Sequence, residues 1–190
     1  MSAERTLADA RAVVGGGGDL ARALFAGPKP LIVAVEGFAA GAGFSLAVGA
    51  DYVVSSNTAS YISAFCKVGI LPDMGMLWSL TQRVGMGQAK RIIASARKVP
   101  AQEALELGIV DQLAEPGQAL NDALVVAEEF SVGAPLAFAV MKRAYSQGIN
   151  SLDDALRVEL DNQSALYLTH DHREAVAAFI EKRQPVFKGC

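Results

Sequence analysis

The chain has 190 residues, a net charge of −3 and a 52% hydrophobic fraction in which aromatics contribute only 7%. That length can bury one real core, and an Ala-, Val- and Leu-rich interior suits an α/β protein with closely packed helices. The charge excludes a general basic field for nucleic acid or an anionic membrane. Two cysteines, Cys66 and Cys190, cannot form a disulfide framework, so a reducing cytoplasm is the expected compartment. The first residues, Met1-Ser2-Ala3-Glu4-Arg5, lead into a charged, Ala-rich stretch, and a secretory signal is not expected.

In chain order, residues 6–26 read as a helix, with Leu7, Ala10, Val13, Leu20, Leu24 and Phe25 at helical spacing and an interruption at Gly15 to Gly18. Gly27-Pro28-Lys29-Pro30 is punctuation. Leu31-Ile32-Val33-Ala34-Val35 is a short apolar run, as suits a strand covered on both faces. A short helix is expected over Gly43 to Gly49. The stretch Leu31 to Ala50 carries only Glu36 and Ser45 as clearly polar residues. Its glycines 37, 41, 43 and 49 favour strand, turn and helix over a membrane span. Asp51 to Val54 reads as a second strand and Ala59 to Ile62 as an edge or return strand. A loop runs from Lys67 to Gly75. Helices are predicted over Met76–Arg83, Gly87–Ser95, Ala101–Leu107, Asn121–Phe130, Pro135–Gln147, Ser151–Leu168 and Asp171–Arg183. Ser151 precedes Asp154 by three and Asp171 precedes Glu174 by three, both at capping-box spacing. With no repeat or linker, the organisation expected is one domain, an α/β portion to about residue 115 and a helical portion over about 116–190.

The turn Gly41-Ala42-Gly43 lies between the buried strand and the short helix. Small residues there let a ligand oxygen approach N–H groups that the helix cannot satisfy, a recipe for an oxyanion hole. Close strand–helix packing without a ligand explains the same letters equally well. Gly15-Gly16-Gly17-Gly18-Asp19 lacks the Gly-Lys-Ser/Thr ending of a phosphate loop, and Gly37, Gly41 and Gly43 do not make a dinucleotide fingerprint. His170 and His172 flank Asp171 at an alternate spacing that suits helix capping better than a metal. Glu36 reads as a strand-end carboxylate facing solvent rather than as an acid catalyst. Cys66 reads as a buried small hydrophobe without a base. Lys182, Arg183 and Lys188 suit a solvated helix end.

Several ordered motifs resemble the crotonase superfamily, the enoyl-CoA hydratase/isomerase family. They are Lys29-Pro30-Leu31-Ile32-Val33-Ala34-Val35-Glu36-Gly37 with Gly41-Ala42-Gly43, then Gly69-Ile70-Leu71-Pro72-Asp73, and Ala101-Gln102-Glu103-Ala104 with Gly108-Ile109-Val110-Asp111. The last is Glu174-Ala175-Val176-Ala177-Ala178-Phe179 with Gln184-Pro185. The resemblance covers about residues 20 to 190. It implies an α/β fold, a ClpP-like spiral of ββα turns followed by a helical trimerisation region, with the N-terminal part of that fold missing from this sequence. It also implies an acyl-CoA substrate, no cofactor beyond the coenzyme A of that substrate, and a homotrimer or homohexamer. The backbone N–H of Ala42 would then be one oxyanion donor. Gly41, Gly43, Ser45, Phe65 and Leu71 would bind the substrate, and Lys182 would reach coenzyme A phosphates from a neighbouring subunit. Gly18 sits too close to Lys29 to match the family's second-donor loop.

Hydratases of the family place glutamates at the positions occupied here by Ser45 and Phe65, whereas isomerase branches often carry a single acid at the position of Asp73. The resemblance therefore favours a double-bond or ring isomerase in which Asp73 moves the proton, since one carboxylate suffices for that reaction. The alternative role for Asp73 is a cap on the helix that follows. Alternative activities are a hydratase, a dehalogenase or hydrolase with Asp73 as nucleophile, and a non-catalytic trimeric acyl-CoA binder.

Overall fold

In the computed structural model, which describes residues 6–190, helix α1 spans Leu7–Phe25 and runs unbroken through Gly15 to Gly18. The expected interruption is absent. A glycine costs a helix interior about 1 kcal/mol relative to alanine, yet the helix runs through all four, and its few close contacts lie toward its C-terminal end. Ala21 is buried, and Phe25 lies so close to Gly49 that a Cβ there would stand 2.1 Å from Cζ of the ring.

The chain divides into two units, one of Leu31–Val126 with the residues up to Phe25, the other of Ala26–Pro30 with Ala127–Cys190. The division falls at Val126, further along than the change near residue 115 read from the sequence.

The first unit holds two three-stranded sheets. Strand β1 (Ile32–Val35) pairs in parallel with β3 (Tyr52–Ser56), and β3 with β6 (Gln112–Ala114). Strand β2 (Phe38–Ala40) pairs in parallel with β4 (Ser60–Ile62), which pairs antiparallel with β5 (Lys98–Pro100). The first four strands thus alternate between the two sheets, and a helix or short turn follows each ββ pair, as in a ββα spiral, while β5 stays in the sheet of β4 and β6 returns to that of β3. Helix α2 (Ala42–Val48) follows β2, and a 3-10 turn (Phe65–Val68) and α3 (Met76–Ser95) follow β4. Gly85, with φ 74° and ψ 159°, breaks α3 into the two helical pieces that the sequence predicts. Helix α4 (Ala101–Glu106) lies between β5 and β6, and α5 (Ala119–Ser131), which follows β6, contains the division at Val126. Strands β2, β5 and β6 were not legible: each is three residues long, and none carries the β-branched and aromatic pair, Tyr61 and Ile62, that marks the equally short β4. The core is Phe44, Val53, Tyr61, Met76, Leu80, Ile92, Val99 and Ile109 with small residues between them. Burial pushes the Tyr61 phenol above its ordinary value, partly offset by the Ser55 hydroxyl.

The second unit contains α6 (Pro135–Gln147), α7 (Leu152–Leu166) and α8 (His170–Glu181). Ser151 caps α7 as expected, its Oγ accepting the Asp154 amide at 3.0 Å. Helix α8 differs from expectation. Thr169, not Asp171, is its cap, accepting the His172 amide at 3.1 Å. Asp171 is buried instead and accepts the amides of Lys188 and Gly189 at 2.7 and 2.8 Å. Glu174 accepts two bonds from Arg183, at 2.6 and 3.0 Å, and the Val186 amide at 2.9 Å. The two carboxylates thereby tie the last residues back onto α8. Leu152, Leu156 and Leu160, spaced four apart on α7, form an open apolar stripe, with Leu152 and Leu160 73% and 70% exposed. No single helix among the described residues is long and apolar enough to cross a membrane.

This tail predicts acid sensitivity. The Arg183 guanidinium and the Val186 amide pull the Glu174 carboxyl down from 4.5 to about 2, and the Lys188 amide is the first cause lowering Asp171. A carboxyl depressed in the folded chain contributes stability above its ordinary value and loses it as pH falls through the folded one. Hydrogen exchange at the Val186 amide should therefore stay slow above pH 4.5 and quicken progressively toward pH 2, and the Lys188 and Gly189 amides on Asp171 should likewise quicken in acid. Exchange independent of pH after correction for the intrinsic rate would refute the tie.

Candidate functional site

The glycine turn is built by a backbone that only glycine adopts cheaply. Gly41 has φ 53° and ψ −123°, its N–H donates to Ile62 O at 3.0 Å, and its carbonyl accepts the Ser45 amide at 3.0 Å. Helix α2 opens at Ala42, so the N–H groups of Ala42 and Gly43 have no partner within the helix. Ala42 and Gly43 are exposed, and a Cβ on Gly43 would meet nothing within 4 Å. Ser45, expected at the ligand surface, is fully buried, and its Oγ lies 3.4 Å from Gly41 O. It props the turn from behind, which corrects the expectation of a direct substrate contact.

The second wall comes from the 3-10 turn. Phe65 is buried, with its ring 3.9 Å from where a Gly41 Cβ would stand. Cys66 is exposed, not the buried hydrophobe expected, because the 3-10 turn aims adjacent side chains in different directions. Ile70 N donates to Phe65 O at 3.1 Å and closes the loop toward Asp73. Leu71 is 70% exposed, and Ile70, Leu77 and Trp78 are exposed as well, so open apolar side chains flank Asp73 in sequence on both sides.

Asp73 is partly buried, and its Oδ1 is a buried atom with no hydrogen-bond partner among the described residues. Helix α3 is capped by Gly75 without any side-chain bond, so the capping role for Asp73 is excluded. The carbonyl of Asp73 accepts the Met76 amide at 3.1 Å. Between them Met74 and Gly75 are both left-handed, with φ 49° and 79°.

Two residues have larger structural parts than the sequence suggested. Arg83 donates from Nε to Val48 O at 3.0 Å, from Nη2 to Ala50 O at 2.8 Å, and from Nη1 to Gly108 O at 3.1 Å and Asp111 Oδ2 at 3.2 Å. It thus ties the end of α2 to the turn before β6. Its spacing of three from Leu80 places it on the buried face of α3, the one signal that could have found it. Glu36, expected to face solvent, accepts the amides of Gly117 at 3.0 Å and Ala119 at 2.7 Å and caps the start of α5.

The remaining expected residues lie elsewhere. Lys182 belongs to the second unit, where it is exposed and ends α8 in a left-handed conformation, φ 55°. His172 meets Tyr167 edge-on at 5.0 Å between ring centres. No group of three or more His, Cys, Asp or Glu among the described residues could hold a metal ion. A surface cleft of about 180 Å³ in the second unit, lined by Leu136, Leu166, Tyr167 and His172 among others, contains none of the expected substrate residues.

Residues 2–190 match the model of the family described as enoyl-CoA hydratase/isomerase. The chain is 36% identical over 171 residues to a probable enoyl-CoA hydratase of Rhodobacter capsulatus, covering 90% of this chain and 66% of that protein. It is 34% identical over 171 residues to the 1,2-epoxyphenylacetyl-CoA isomerase of Escherichia coli, covering 90% and 65%. Among solved structures, a putative enoyl-CoA hydratase of Streptomyces coelicolor superposes with a TM-score of 0.92 at 32% identity, covering 98% of this chain and 69% of that one. The chain spans about two thirds of the length of these curated relatives.

Proposed function

Because the chain belongs to the enoyl-CoA hydratase/isomerase family, we propose that it is an acyl-CoA isomerase that moves a double bond or reorganises a ring through a thioester enolate. The observation that carries this reading is Asp73, a carboxylate with a buried, unpartnered Oδ1 on the loop that follows Phe65. On a 3-enoyl thioester, Asp73 takes a proton from C2. The C–H electron pair passes into the carbonyl, whose oxygen gains charge facing the Ala42 N–H. Asp73 then returns the proton to C4, the double bond settles between C2 and C3, and no atom is gained or lost. Gly41 and Gly43 leave room for the thioester oxygen, Phe65 and Leu71 border the acyl group, and Ser45 holds the turn.

A hydratase is the second reading, favoured by the relatives named as hydratases. Against it, Ser45 and Phe65 supply no carboxylate to activate water. Lys182 is assigned to the coenzyme A phosphates, reached from a neighbouring copy, and the Leu152, Leu156 and Leu160 stripe to contacts between copies in a cytoplasmic homotrimer or homohexamer.

The deciding experiment incubates the chain with a straight-chain 3-enoyl-CoA in deuterated water and identifies the product by mass spectrometry. The expected product is the 2-enoyl-CoA. A 3-hydroxyacyl-CoA made from 2-enoyl-CoA in a parallel incubation would favour the hydratase, and binding without conversion of either substrate would leave an acyl-CoA binder.

A further inference from the structure

Resting on the assignment of Asp73 as proton carrier, we infer that Met74 is a positioning residue for that carboxylate, held in a left-handed turn by seating its side chain on the glycine run of α1. Asp73 Oδ1 has no hydrogen bond to aim it. Its direction is therefore set by its rotamer and by the backbone that carries it. That backbone is unusual on its far side. Met74 is one of three non-glycine residues with positive φ, together with Ala96 and Lys182, among the described residues. The other two end helices, where a left-handed residue is common. Met74 instead precedes Gly75, so two left-handed residues follow one another between Asp73 and α3. Glycine takes that conformation freely, whereas methionine takes it only where its surroundings hold it there.

The seat is on α1. Met74 Cγ lies 3.4 Å from the point where a Gly17 Cβ would stand, which puts the methionine against bare helix backbone. The neighbouring glycines are not used in this way. A Cβ on Gly15 or Gly16 would meet nothing within 4 Å, and one on Gly18 would meet only Arg22 Nη1, at 3.9 Å. A second hold comes from Phe25 on the same helix, whose ring lies 3.9 Å from the Cβ position of Gly75. On the far side of the turn the Met76 amide donates to Asp73 O at 3.1 Å. Met76 is itself buried, with Ser63 Oγ 3.5 Å from its sulfur. The glycine run, which matched no phosphate or dinucleotide motif, thus has a use at one of its four positions.

Displacing a catalytic group by about 1 Å can cost about a hundredfold in rate. The test compares Met74→Gly, Gly17→Leu, Gly16→Ala and Asp73→Asn in the full chain. Turnover of a straight-chain 3-enoyl-CoA is followed, together with hydrogen exchange at the Met76 amide. Met74→Gly, which relieves the turn, should lower kcat about tenfold to a hundredfold with KM nearly unchanged and with no fall in melting temperature. Gly17→Leu should do the same and quicken Met76 exchange, while Gly16→Ala should match the wild type in both. A Met74→Gly variant with wild-type kcat, or with a raised KM alone, overturns the inference while an inactive Asp73→Asn leaves the reading of the site intact. Full turnover in Asp73→Asn sinks that reading itself, and unchanged Met76 exchange in Gly17→Leu removes the seat.

Discussion

Replacing Asp73 with asparagine should lower turnover about 10²- to 10⁴-fold, the range a positioned proton carrier contributes, while leaving fold and acyl-CoA affinity in place. Asparagine keeps the size of the side chain and loses only the capacity to take up and return a proton. The fold has little to lose. Oδ1 accepts no bond among the described residues, and α3 begins at Gly75 without help from the carboxylate. Removing an unpartnered charge from a partly buried place is expected to be neutral or mildly stabilising, by about 1 kcal/mol at most. Initial rates on a 3-enoyl-CoA together with a thermal melt would separate the two effects. A variant with low turnover and a melting temperature lowered by many degrees would mean that Asp73 supports structure, contrary to its geometry.

Arg83→Met should destabilise the first unit by about 1–3 kcal/mol, as expected when a part-buried donor that serves several carbonyls is removed. The Arg83 side chain is 14% exposed. Its loss strands the carbonyls of Val48, Ala50 and Gly108 and takes from Asp111 its cationic partner, leaving that carboxylate on the Val53 amide at 2.8 Å. Methionine fills much of the volume but offers no donor. Arg83→Lys should recover only part of the loss, because one ammonium cannot repeat the planar fork that reaches two segments at once. The single tryptophan, Trp78, lies on α3 in the same unit, so its fluorescence during denaturant unfolding reports this loss directly. A shift below about 1 kcal/mol would show that water replaces the guanidinium without difficulty.

What the sequence made legible follows from how local each determinant is. Helix α6 was read with the same ends that the structure shows, since Pro135 starts it and Gly148 ends it. The Gly41 turn was legible because a few small neighbouring residues specify it, whereas the role proposed for Asp73 rests on the resemblance of Gly69-Ile70-Leu71-Pro72-Asp73 to the family. The unbroken course of α1 through its glycines was not legible, because the contact at Gly17 comes from Met74, far along the chain, where no local pattern records it. The start of α8 was misplaced because Thr169 and Asp171 both suit a cap, and the tail residues 188 and 189 claim the second. Glu36 and Arg83 act on groups 25 to 83 residues away, and spacing rules reach only a few residues.

Glu36 also constrains the order in which the molecule can be assembled. Its carboxylate closes a loop of 81 residues to Gly117, and Asp111 reaches Val53 across 58. A ribosome releasing this chain from its front exposes β1 and β3 long before β6 exists to cover the free edge of β3. Closures of that span are slow, so the half-made sheet stands open to chaperones or to neighbouring nascent chains until the residues around 111 to 119 emerge.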